Sequence, residues 1–286
     1  SLEQQPNHLA IVGSNYIAVK QAGILNGLIC KVSLIVPDDR ILPGCDDEIR
    51  TRIQDDLKQL GVHFYCNGTV EKIERAQQCL TLTLVQHRDP VTVETVVFIQ
   101  DRIVNGEELG LEKAGVKLKD GFIAVDEYSR TTQTNIFAVG DCTARPPWTP
   151  VAIATGRAFA DTEFGDSPHT IDLTLVPYVL SALPEAATVG LTEAQARQLL
   201  GAAVRCYTKQ FQPLFNLRGE SDQQTLLKLV VDEPSDRVLG AHMVGENASE
   251  MIQMIGLAMQ AGVTKAAFDR TIGIHPSVGE EFFTLK

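Results

Sequence analysis

The chain has 286 residues, of which 44% are hydrophobic and 21% are charged, and its formal net charge is −11. This is the composition of a globular protein with enough length for two or three domains. A face that binds nucleic acid or an anionic membrane needs clustered Lys and Arg. The acidic balance and the lack of such clusters in the sequence argue against both partners.

The six cysteines are scattered, and no pair has CxxC or CxxxxC spacing, so the sequence indicates neither a zinc site nor a redox-active dithiol. The N-terminus lacks the basic and apolar segments of a signal peptide. No apolar run approaches the roughly 20 residues that cross a bilayer. We therefore expect a protein of the reducing cytoplasm.

The first part of the chain, residues 1–104, predicts an α/β domain of the Rossmann type. A strand–turn–helix–strand order occupies about 30 residues, which is typical of the opening of such a unit. A second helix and further strands follow it. Strands are predicted at 8–12, 31–36, 62–65, 69–73, 80–85 and 91–99, and helices at 16–26 and 48–60.

The middle segment, residues 105–173, predicts two short strands and one long helix. The strands are expected at 122–125 and 136–139, and the helix at 149–164. Pro150 lies in the first turn of that helix, where proline is tolerated.

The last segment, residues 174–286, changes to an α+β pattern, which we interpret as a separate domain. Strands are predicted at 178–180, 187–190, 204–208, 225–231 and 238–244, and helices at 192–200, 248–261 and 264–271. Thr192 is a candidate N-cap, but Glu193 comes too early in the helix to complete a capping box with it.

The first predicted turn carries an altered dinucleotide fingerprint. Residues 13–18 are GSNYIA, whereas a Rossmann site has GxGxxG or GxGxxA. Gly13 can form the tight turn, and Ala18 allows helix and strand to pack closely. Asn15 replaces the second glycine, and its side chain is expected where a pyrophosphate would lie. The residues that build the fold are kept, and the residue that admits the ligand is lost.

The C-terminal residues combine a histidine, a proline and a carboxylate. His275 precedes Pro276, and Glu280 follows five residues after the histidine. A carboxylate that accepts the proton of imidazole Nδ1 fixes the tautomer and raises the basicity of Nε2. The spacing suits an oriented acid/base pair, although a surface histidine beside a solvated pair of glutamates would have the same sequence.

Five segments carry a resemblance to one enzyme family. They are IVGSNYIAVKQAGIL at 11–25, TNIFAVGD at 134–141, WTPVAIATGR at 148–157, RVLGAHMVG at 237–245 and TIGIHPSVGEEFFTLK at 271–286. They closely resemble the glutathione reductase branch of the FAD-dependent pyridine nucleotide–disulfide oxidoreductases. By this resemblance His275 is the acid/base of thiol–disulfide exchange, Glu280 holds it, and Tyr16 gates the nicotinamide.

The same resemblance implies part of a flavin site and part of a substrate site. Gly140 and Asp141 match the family's second FAD motif, in which glycine permits close approach and the carboxylate accepts hydrogen bonds from ribityl hydroxyls. The helix that begins at Thr149 would point its N–H groups at the flavin pyrimidine oxygen. Arg157 and Glu281 match residues that contact glutathione.

The residues that match the family's NADPH site are altered in three places. The first is Asn15 in the fingerprint. The second is the end of the second strand, where the family has arginines for the 2′-phosphate and this chain has Pro37, Asp38 and Pro43. None of these neutralises a phosphate, and Asp38 repels one.

The third altered place is IQDRIVN at 99–105, which matches a family signature resembling ATGRxPN. Arg102 is kept, but the glycine and the proline are replaced. Lys20 also reverses the charge of a glutamate near the flavin. We predict a nucleotide domain that keeps its fold and binds NADPH weakly or not at all. An NAD site would need an acid at the strand end, which Asp38 or Asp39 can supply.

The resemblance covers essentially the whole chain but only the C-terminal part of a family protein. Family members have a further N-terminal α/β subdomain that carries the first FAD GxGxxG and the CxxxxC. We therefore expect FAD only together with that subdomain, and no turnover by this chain alone. Residues 174–286 resemble the family's interface domain, which implies a two-fold homodimer that brings the His–Glu pair into the partner's active site.

Three functions are compatible with these observations. The first is the C-terminal part of an FAD-dependent disulfide reductase with a glutathione-type substrate and a degraded NADPH site. The second is a noncatalytic dimerisation or scaffold module derived from the same fold. The third is an independent NAD(H)-binding module.

Overall fold

The structure, a computed structural model, describes residues 4–216 and 223–286. Contacts divide the described chain into two units. The larger unit contains the described residues up to Gln100 together with those from Pro177 onward, and the smaller unit is Asp101–Val176. The division into domains at 1–104, 105–173 and 174–286 stays a prediction, and most of the first and last of these regions lies in one unit.

The N-terminal part of the larger unit has Rossmann-type α/β topology, as predicted. Its strands are β1 (His8–Val12), β2 (Lys31–Val36), β3 (His63–Cys66), β4 (Val70–Ala76), β5 (Cys79–Leu84), β6 (Val91–Val93) and β7 (Thr95–Phe98), and its helices are α1 (Tyr16–Gly27) and α2 (Asp47–Gln59). A parallel sheet has the order β3–β2–β1–β7, and β4, β5 and β6 form an antiparallel sheet. The predicted strand at 91–99 is two strands, because β6 pairs with β5 and β7 pairs with β1.

The smaller unit contains a short hairpin and one long helix. Its elements are β8 (Leu118–Lys119), β9 (Phe122–Ile123) and α3 (Thr149–Phe164). The predicted strand at 136–139 is wrong, because Phe137 makes one isolated bridge, with Arg130, and no ladder extends from it among the described residues. A short apolar run becomes a strand only where a neighbouring strand supplies a row of hydrogen-bond partners.

The C-terminal part of the larger unit is an antiparallel sheet with helices, which confirms the predicted α+β pattern. Its strands are β10 (Tyr178–Ala182), β11 (Glu185–Gly190), β12 (Val204–Phe211), β13 (Thr225–Asp232) and β14 (Arg237–Val244), in the order β10–β11–β14–β13–β12, and its helices are α4 (Glu193–Leu200), α5 (Ala248–Gln260) and α6 (Lys265–Arg270). The expectation that Thr192 lacks a capping box is wrong. The reciprocal partner is Gln195, the third residue of α4, whose side chain accepts the Thr192 N–H.

One apolar core runs through both parts of the larger unit. Ile11 and Leu34 of the parallel sheet belong to the same buried cluster as Leu226 of the antiparallel sheet. Helix α1 approaches the β10–β11 hairpin at Gly23, where an added Cβ would lie 2.3 Å from the carbonyl oxygen of Leu183. The glycine is therefore required by this close approach rather than by helix propensity.

A buried ammonium lies where the two parts of the larger unit meet. Lys228 of β13 places Nζ 2.9 Å from Asp46, 3.1 Å from Glu48 and 2.8 Å from Glu193. Asp46 is the N-cap of α2, and it also accepts the backbone N–H of Glu193 at the start of α4. The hydrogen bond from Lys228 is the main reason that the pKa of Glu193 falls to about 2. The cluster thus links three elements through one cation.

His242 is buried in the same region and is neutral. Its Nε2 donates to the carbonyl of Leu191 at 3.2 Å, and its Nδ1 therefore accepts from the hydroxyl of Thr188. Burial lowers the pKa of His242 to about 4, although the Asp46 carboxylate opposes this shift. His242 lies in β14, within the strand predicted at 238–244.

We expect the free energy of unfolding to fall as pH drops from about 6.5 towards 4. Unfolded His242 takes up a proton near its ordinary pKa of 6.5, whereas the folded residue does so only near 4, so acid favours the unfolded state. A shift of this size corresponds to about 3 kcal/mol. Urea denaturation at about pH 7 and about pH 5 measures the greater part of this loss.

The control for this expectation is His242→Gln, which cannot titrate. It should reduce the stability difference between the two pH values by about 2 kcal/mol. A difference as large as that of the wild type would contradict the assignment to His242. Asp46 and Glu193 contribute only in stronger acid, because the pKa of each carboxyl is lowered in the folded state.

Helix α1 ends in a Schellman motif with an unusual residue at its left-handed position. The N–H of Ile29 donates to Asn26, and the N–H of Cys30 donates to Leu25. Ile29 has φ of 67° and is 92% exposed. Glycine is usual at this position because a Cβ, and a branched one above all, crowds the following carbonyl.

We expect Ile29→Gly to raise the free energy of unfolding by about 1 kcal/mol. The change removes the left-handed strain, and an exposed side chain loses little burial. Urea denaturation of the two proteins measures the gain. Leu28→Gly is the matched control, since Leu28 has φ of −86° and its replacement should destabilise the chain. A destabilised Ile29→Gly protein would contradict the strain argument.

Candidate functional site

A cleft of about 670 Å³ lies beside the C-terminal residues of the larger unit. Its lining combines an apolar wall with charged groups. It includes Lys209, Phe211, Leu214, His275, Glu280 and Glu281. Three of the residues singled out from the sequence, His275, Glu280 and Glu281, therefore share one cleft.

His275 and Glu280 are directly hydrogen-bonded. Imidazole Nδ1 lies 3.0 Å from Oε1 and 3.1 Å from Oε2 of the carboxylate. A carboxylate only accepts, so Nδ1 carries the proton and Nε2 is the basic nitrogen of the neutral ring. The His275 side chain is 72% exposed, whereas that of Glu280 is 20% exposed. The pair has an anchored carboxylate and an accessible imidazole.

Ser277 holds Glu280 in place, a role that the sequence-based interpretation missed. Its N–H donates to Glu280 Oε1 at 3.2 Å, and its Oγ accepts the Glu280 N–H at 3.1 Å. The two hydrogen bonds have the reciprocal pattern of a capping box, although the N-cap residue of the 3₁₀ turn Gly279–Phe282 is Val278 rather than Ser277. The S-x-x-E spacing of residues 277–280 is the sequence signal that could have predicted it.

Glu281 is engaged by neighbours within the larger unit. Its carboxylate pairs with Lys209 and accepts the Thr284 hydroxyl at 2.8 Å. Burial alone would raise the pKa of Glu281, but the hydrogen bonds from Lys209 and Thr284 bring it below its ordinary value. A ligand that uses this carboxylate therefore meets an ion pair rather than an isolated anion.

The turn between β1 and α1 is closed by Asn15. Its Oδ1 accepts from the N–H groups of Ile17 and Ala18, each at 3.1 Å. These are amides of the first helical turn, the groups that receive a pyrophosphate in a dinucleotide site. Gly13 has φ of 150°, and an added Cβ would lie 2.7 Å from the Ile99 carbonyl oxygen. The tight turn of a Rossmann site is therefore present. The N–H groups of Ile17 and Ala18, however, already donate to Asn15 Oδ1.

The surroundings of this turn carry further charges. Asp38 accepts a hydrogen bond from the Ser14 hydroxyl at 3.1 Å. The ammonium of Lys20 lies 5.1 Å from the centroid of the Tyr16 ring, and burial lowers the pKa of Lys20. A carboxylate thus stands beside the turn, and a cation lies over the aromatic ring.

The smaller unit brings together the residues expected at the flavin. Gly140 has φ of 78° and begins a short 3₁₀ turn that contains Asp141. Arg102 donates to Asp141 at 2.6 Å. Helix α3 begins at Thr149, and its N-cap residue, Trp148, makes no side-chain capping hydrogen bond. The first-turn amides of α3 are therefore not covered by a cap side chain, in contrast to those of α1.

Arg157 lies on α3, where it is exposed. It belongs to the smaller unit, whereas His275, Glu280 and Glu281 belong to the larger one. Its expected contact with a substrate stays a prediction.

Comparison with protein families finds a match for the N-terminal part of the chain and another for the C-terminal part. A family model described as pyridine nucleotide-disulphide oxidoreductase matches residues 1–156. The dimerisation domain of the same family matches residues 176–285. The chain belongs to this family. The resemblance inferred from sequence is therefore confirmed.

Individual relatives agree with this membership in the pyridine nucleotide-disulphide oxidoreductases. Glutathione reductase from a Nostoc species is 43% identical, over 100% of this chain and 65% of the relative. Glutathione reductase from Burkholderia cepacia is also 43% identical, over 98% of this chain and 62% of the relative. The solved structure of the HOCl-induced flavoprotein disulfide reductase RclA from Escherichia coli has a TM-score of 0.89 at 28% identity, over 99% of this chain and 65% of that one.

The comparisons define what part of a family member this chain represents. It spans less than two thirds of the length of these relatives. The predicted fold class is confirmed, with an α/β Rossmann-type nucleotide domain, a partial FAD-domain segment and an α+β dimerisation domain. Within the described ranges, no helix is long and apolar enough to cross a membrane, and no group of three or more His, Cys, Asp and Glu residues is placed to hold a metal ion.

We expect Asn15→Ala to lower the free energy of unfolding by about 1 kcal/mol, because the Ile17 and Ala18 amides lose their acceptor. Asn15→Asp keeps the acceptor oxygen and should be close to the wild type. Urea denaturation of the three proteins measures the difference. Equal stability of the Ala and Asp variants would contradict the capping role.

Proposed function

We propose that this chain is the C-terminal part of an FAD-dependent disulfide reductase of the glutathione reductase type. The observation that carries the proposal is the hydrogen bond between His275 Nδ1 and Glu280. Kinship with two glutathione reductases at 43% identity supports the reaction class. In this function His275 is the acid/base of thiol–disulfide exchange, and Glu280 fixes its tautomer.

The pair suits the proton transfers of that exchange. A thiolate attacks one sulfur of a disulfide, and the other sulfur leaves as a thiolate that must take up a proton. His275 exchanges this proton through Nε2, because Nδ1 is occupied by Glu280. No cysteine pair in these 286 residues has CxxxxC spacing, so the attacking dithiol must come from another chain segment.

The smaller unit has features that fit part of a flavin site. Gly140 presents no side chain, and the uncapped first turn of α3 at Thr149 can donate N–H groups to a carbonyl oxygen. Asp141, which Arg102 holds, is available to ribityl hydroxyls. FAD, when bound, supplies the electron transfer between the nicotinamide and the dithiol.

The nicotinamide site is proposed to bind NADPH weakly or not at all. The Asn15 carboxamide occupies amides that a pyrophosphate needs. Pro37 and Pro43 offer no cation to a 2′-phosphate, and the Asp38 carboxylate repels one. Asp38 as the acid of an NAD site remains the alternative for this domain.

The proposed assembly is a homodimer through residues 174–286, and its substrate is a glutathione-type disulfide that contacts Arg157 and Glu281. The match of residues 176–285 to a dimerisation domain supports the dimer. All six cysteines are free thiols, which fits the reducing cytoplasm. Sedimentation of the purified chain as a monomer at micromolar concentration would argue against dimerisation by this chain itself.

A noncatalytic dimerisation module is the second candidate. Two contacts favour it, the Asn15 cap over the α1 amides and the ion pair of Glu281 with Lys209. The first engages the Ile17 and Ala18 amides, and the second engages the Glu281 carboxylate. A reductase would offer these groups to its ligands. The absorption spectrum of the protein purified from its native source separates the two functions. A flavin band supports the reductase, and its absence supports the module.

We expect an NADPH titration of the chain to show no saturation below about 1 mM, the upper end of usual Michaelis constants. The Nostoc glutathione reductase serves as the positive control, and NADPH fluorescence reports binding. The triple variant Asn15→Gly, Pro37→Arg, Pro43→Arg uncovers the helix amides and supplies two cations, so it should bind more tightly. Saturation of the wild type at low micromolar NADPH would overturn the proposal that this site binds NADPH weakly or not at all.

A further inference from the structure

The residues that follow His275 are folded back into the α+β part of the larger unit. The side chains of Phe282 and Leu285 are 1% exposed. The rings of Phe268 and Phe283 lie 5.8 Å apart between centroids. Terminal residues usually fray unless specific contacts hold them. The contacts that hold this segment therefore bear on the Glu280 carboxylate, which lies within it.

Lys265 supplies a buried polar contact to the end of this segment. Its side chain is 3% exposed, and Nζ donates to the Leu285 carbonyl oxygen at 2.7 Å. The same ammonium bonds Asp269 and lies 4.3 Å from the centroid of the Tyr207 ring. An ammonium removed from water is costly, and these three neighbours offset that cost.

The stability of α6 does not by itself account for the burial of Lys265, although its ion pair with Asp269 joins residues four positions apart on that helix. It is the first residue of α6, where a positive charge opposes the helix dipole. Thr264 already caps the helix by accepting the Ala267 N–H. Besides its contacts with Asp269 and Tyr207, Lys265 bonds the carbonyl oxygen of Leu285, which is 20 residues away in the chain.

Besides the Ser277 hydrogen bonds and the ion pair of Glu281 with Lys209, two further contacts restrain the Glu280 turn. On one side it touches Gly273, where an added Cβ would lie 2.7 Å from Glu280 Cβ. On the other side the chain runs through the 3₁₀ turn Gly279–Phe282 to Leu285 and the Lys265 ammonium. A displacement of Leu285 would therefore move the turn that orients the Glu280 carboxylate towards His275.

We propose that Lys265 is a positioning residue for the His275–Glu280 pair. It holds the Leu285 carbonyl, and through the intervening turn it keeps the Glu280 carboxylate within hydrogen-bond distance of Nδ1. The consequence for catalysis rests on the proposed function of His275. The positioning itself is a property of this chain and can be measured without flavin or substrate.

The test is nitrogen-15 NMR of the imidazole groups in alkaline buffer, with His275→Gln to assign the signal. The wild type should show His275 as the tautomer protonated at Nδ1. Lys265→Met should lose this fixed tautomer, and amide exchange over residues 279–284 should become faster by about tenfold. Exchange in β13 and β14 should be unchanged. Lys265→Arg, which keeps the charge and the donors, should retain the tautomer.

The controls separate positioning from general destabilisation. Lys58→Met removes a half-exposed lysine of α2 and should leave the His275 signal as in the wild type. Asp269→Asn leaves the Leu285 contact in place and should also keep the signal. If Lys265→Met does not fold, loss of the signal in Asp269→Asn or in Lys265→Arg overturns the proposal, and its retention in both supports it.

Two outcomes have different meanings. A folded Lys265→Met protein with the wild-type tautomer, or with faster exchange spread evenly over the larger unit, would refute the positioning role. A wild-type chain without a fixed His275 tautomer would instead count against the acid/base pair on which the proposed function rests.

Discussion

The larger unit depends on one buried cation. Lys228 joins the cap of α2 and the start of α4 to the antiparallel sheet, so the nucleotide-type part and the dimerisation part share an electrostatic contact as well as an apolar core. The two parts are therefore not free to separate: removal of the cation would leave Asp46 buried without its main partner, which typically costs about 3–5 kcal/mol. His242 is buried beside this cluster with a lowered pKa, so acid destabilises the contact between the two parts of the larger unit.

The N-terminal ends of helices α1 and α3 differ in whether a cap side chain covers their first-turn amides. The α1 start is closed by the Asn15 carboxamide, whereas the α3 start at Thr149 has no side-chain cap. A helix N-terminus receives a ligand only when its amides are free, so a residue that stabilises the helix competes with binding there. This contrast supports the proposal that the nucleotide site beside α1 binds NADPH weakly or not at all, while the start of α3 keeps features that fit a flavin.

Much of the architecture follows from local patterns. β1, β2 and α3 begin and end at the predicted residues, because apolar periodicity and turn residues specify short-range structure. The strand predicted at 136–139 failed because strand formation depends on a partner elsewhere in the chain. The capping box of Thr192 is a local feature as well, because its partner Gln195 lies only three residues along the chain.

The sequence by itself determined the family, the Rossmann-type turn at Gly13, the loss of its second glycine and the His275–Glu280 spacing. These are properties of residue type and short separations along the chain. Only the tertiary structure decided that Lys228 gathers three carboxylates, that Lys209 neutralises Glu281 and that Lys265 reaches Leu285. Each of these contacts joins residues 20 to 182 positions apart, and their approach follows from packing rather than from local spacing.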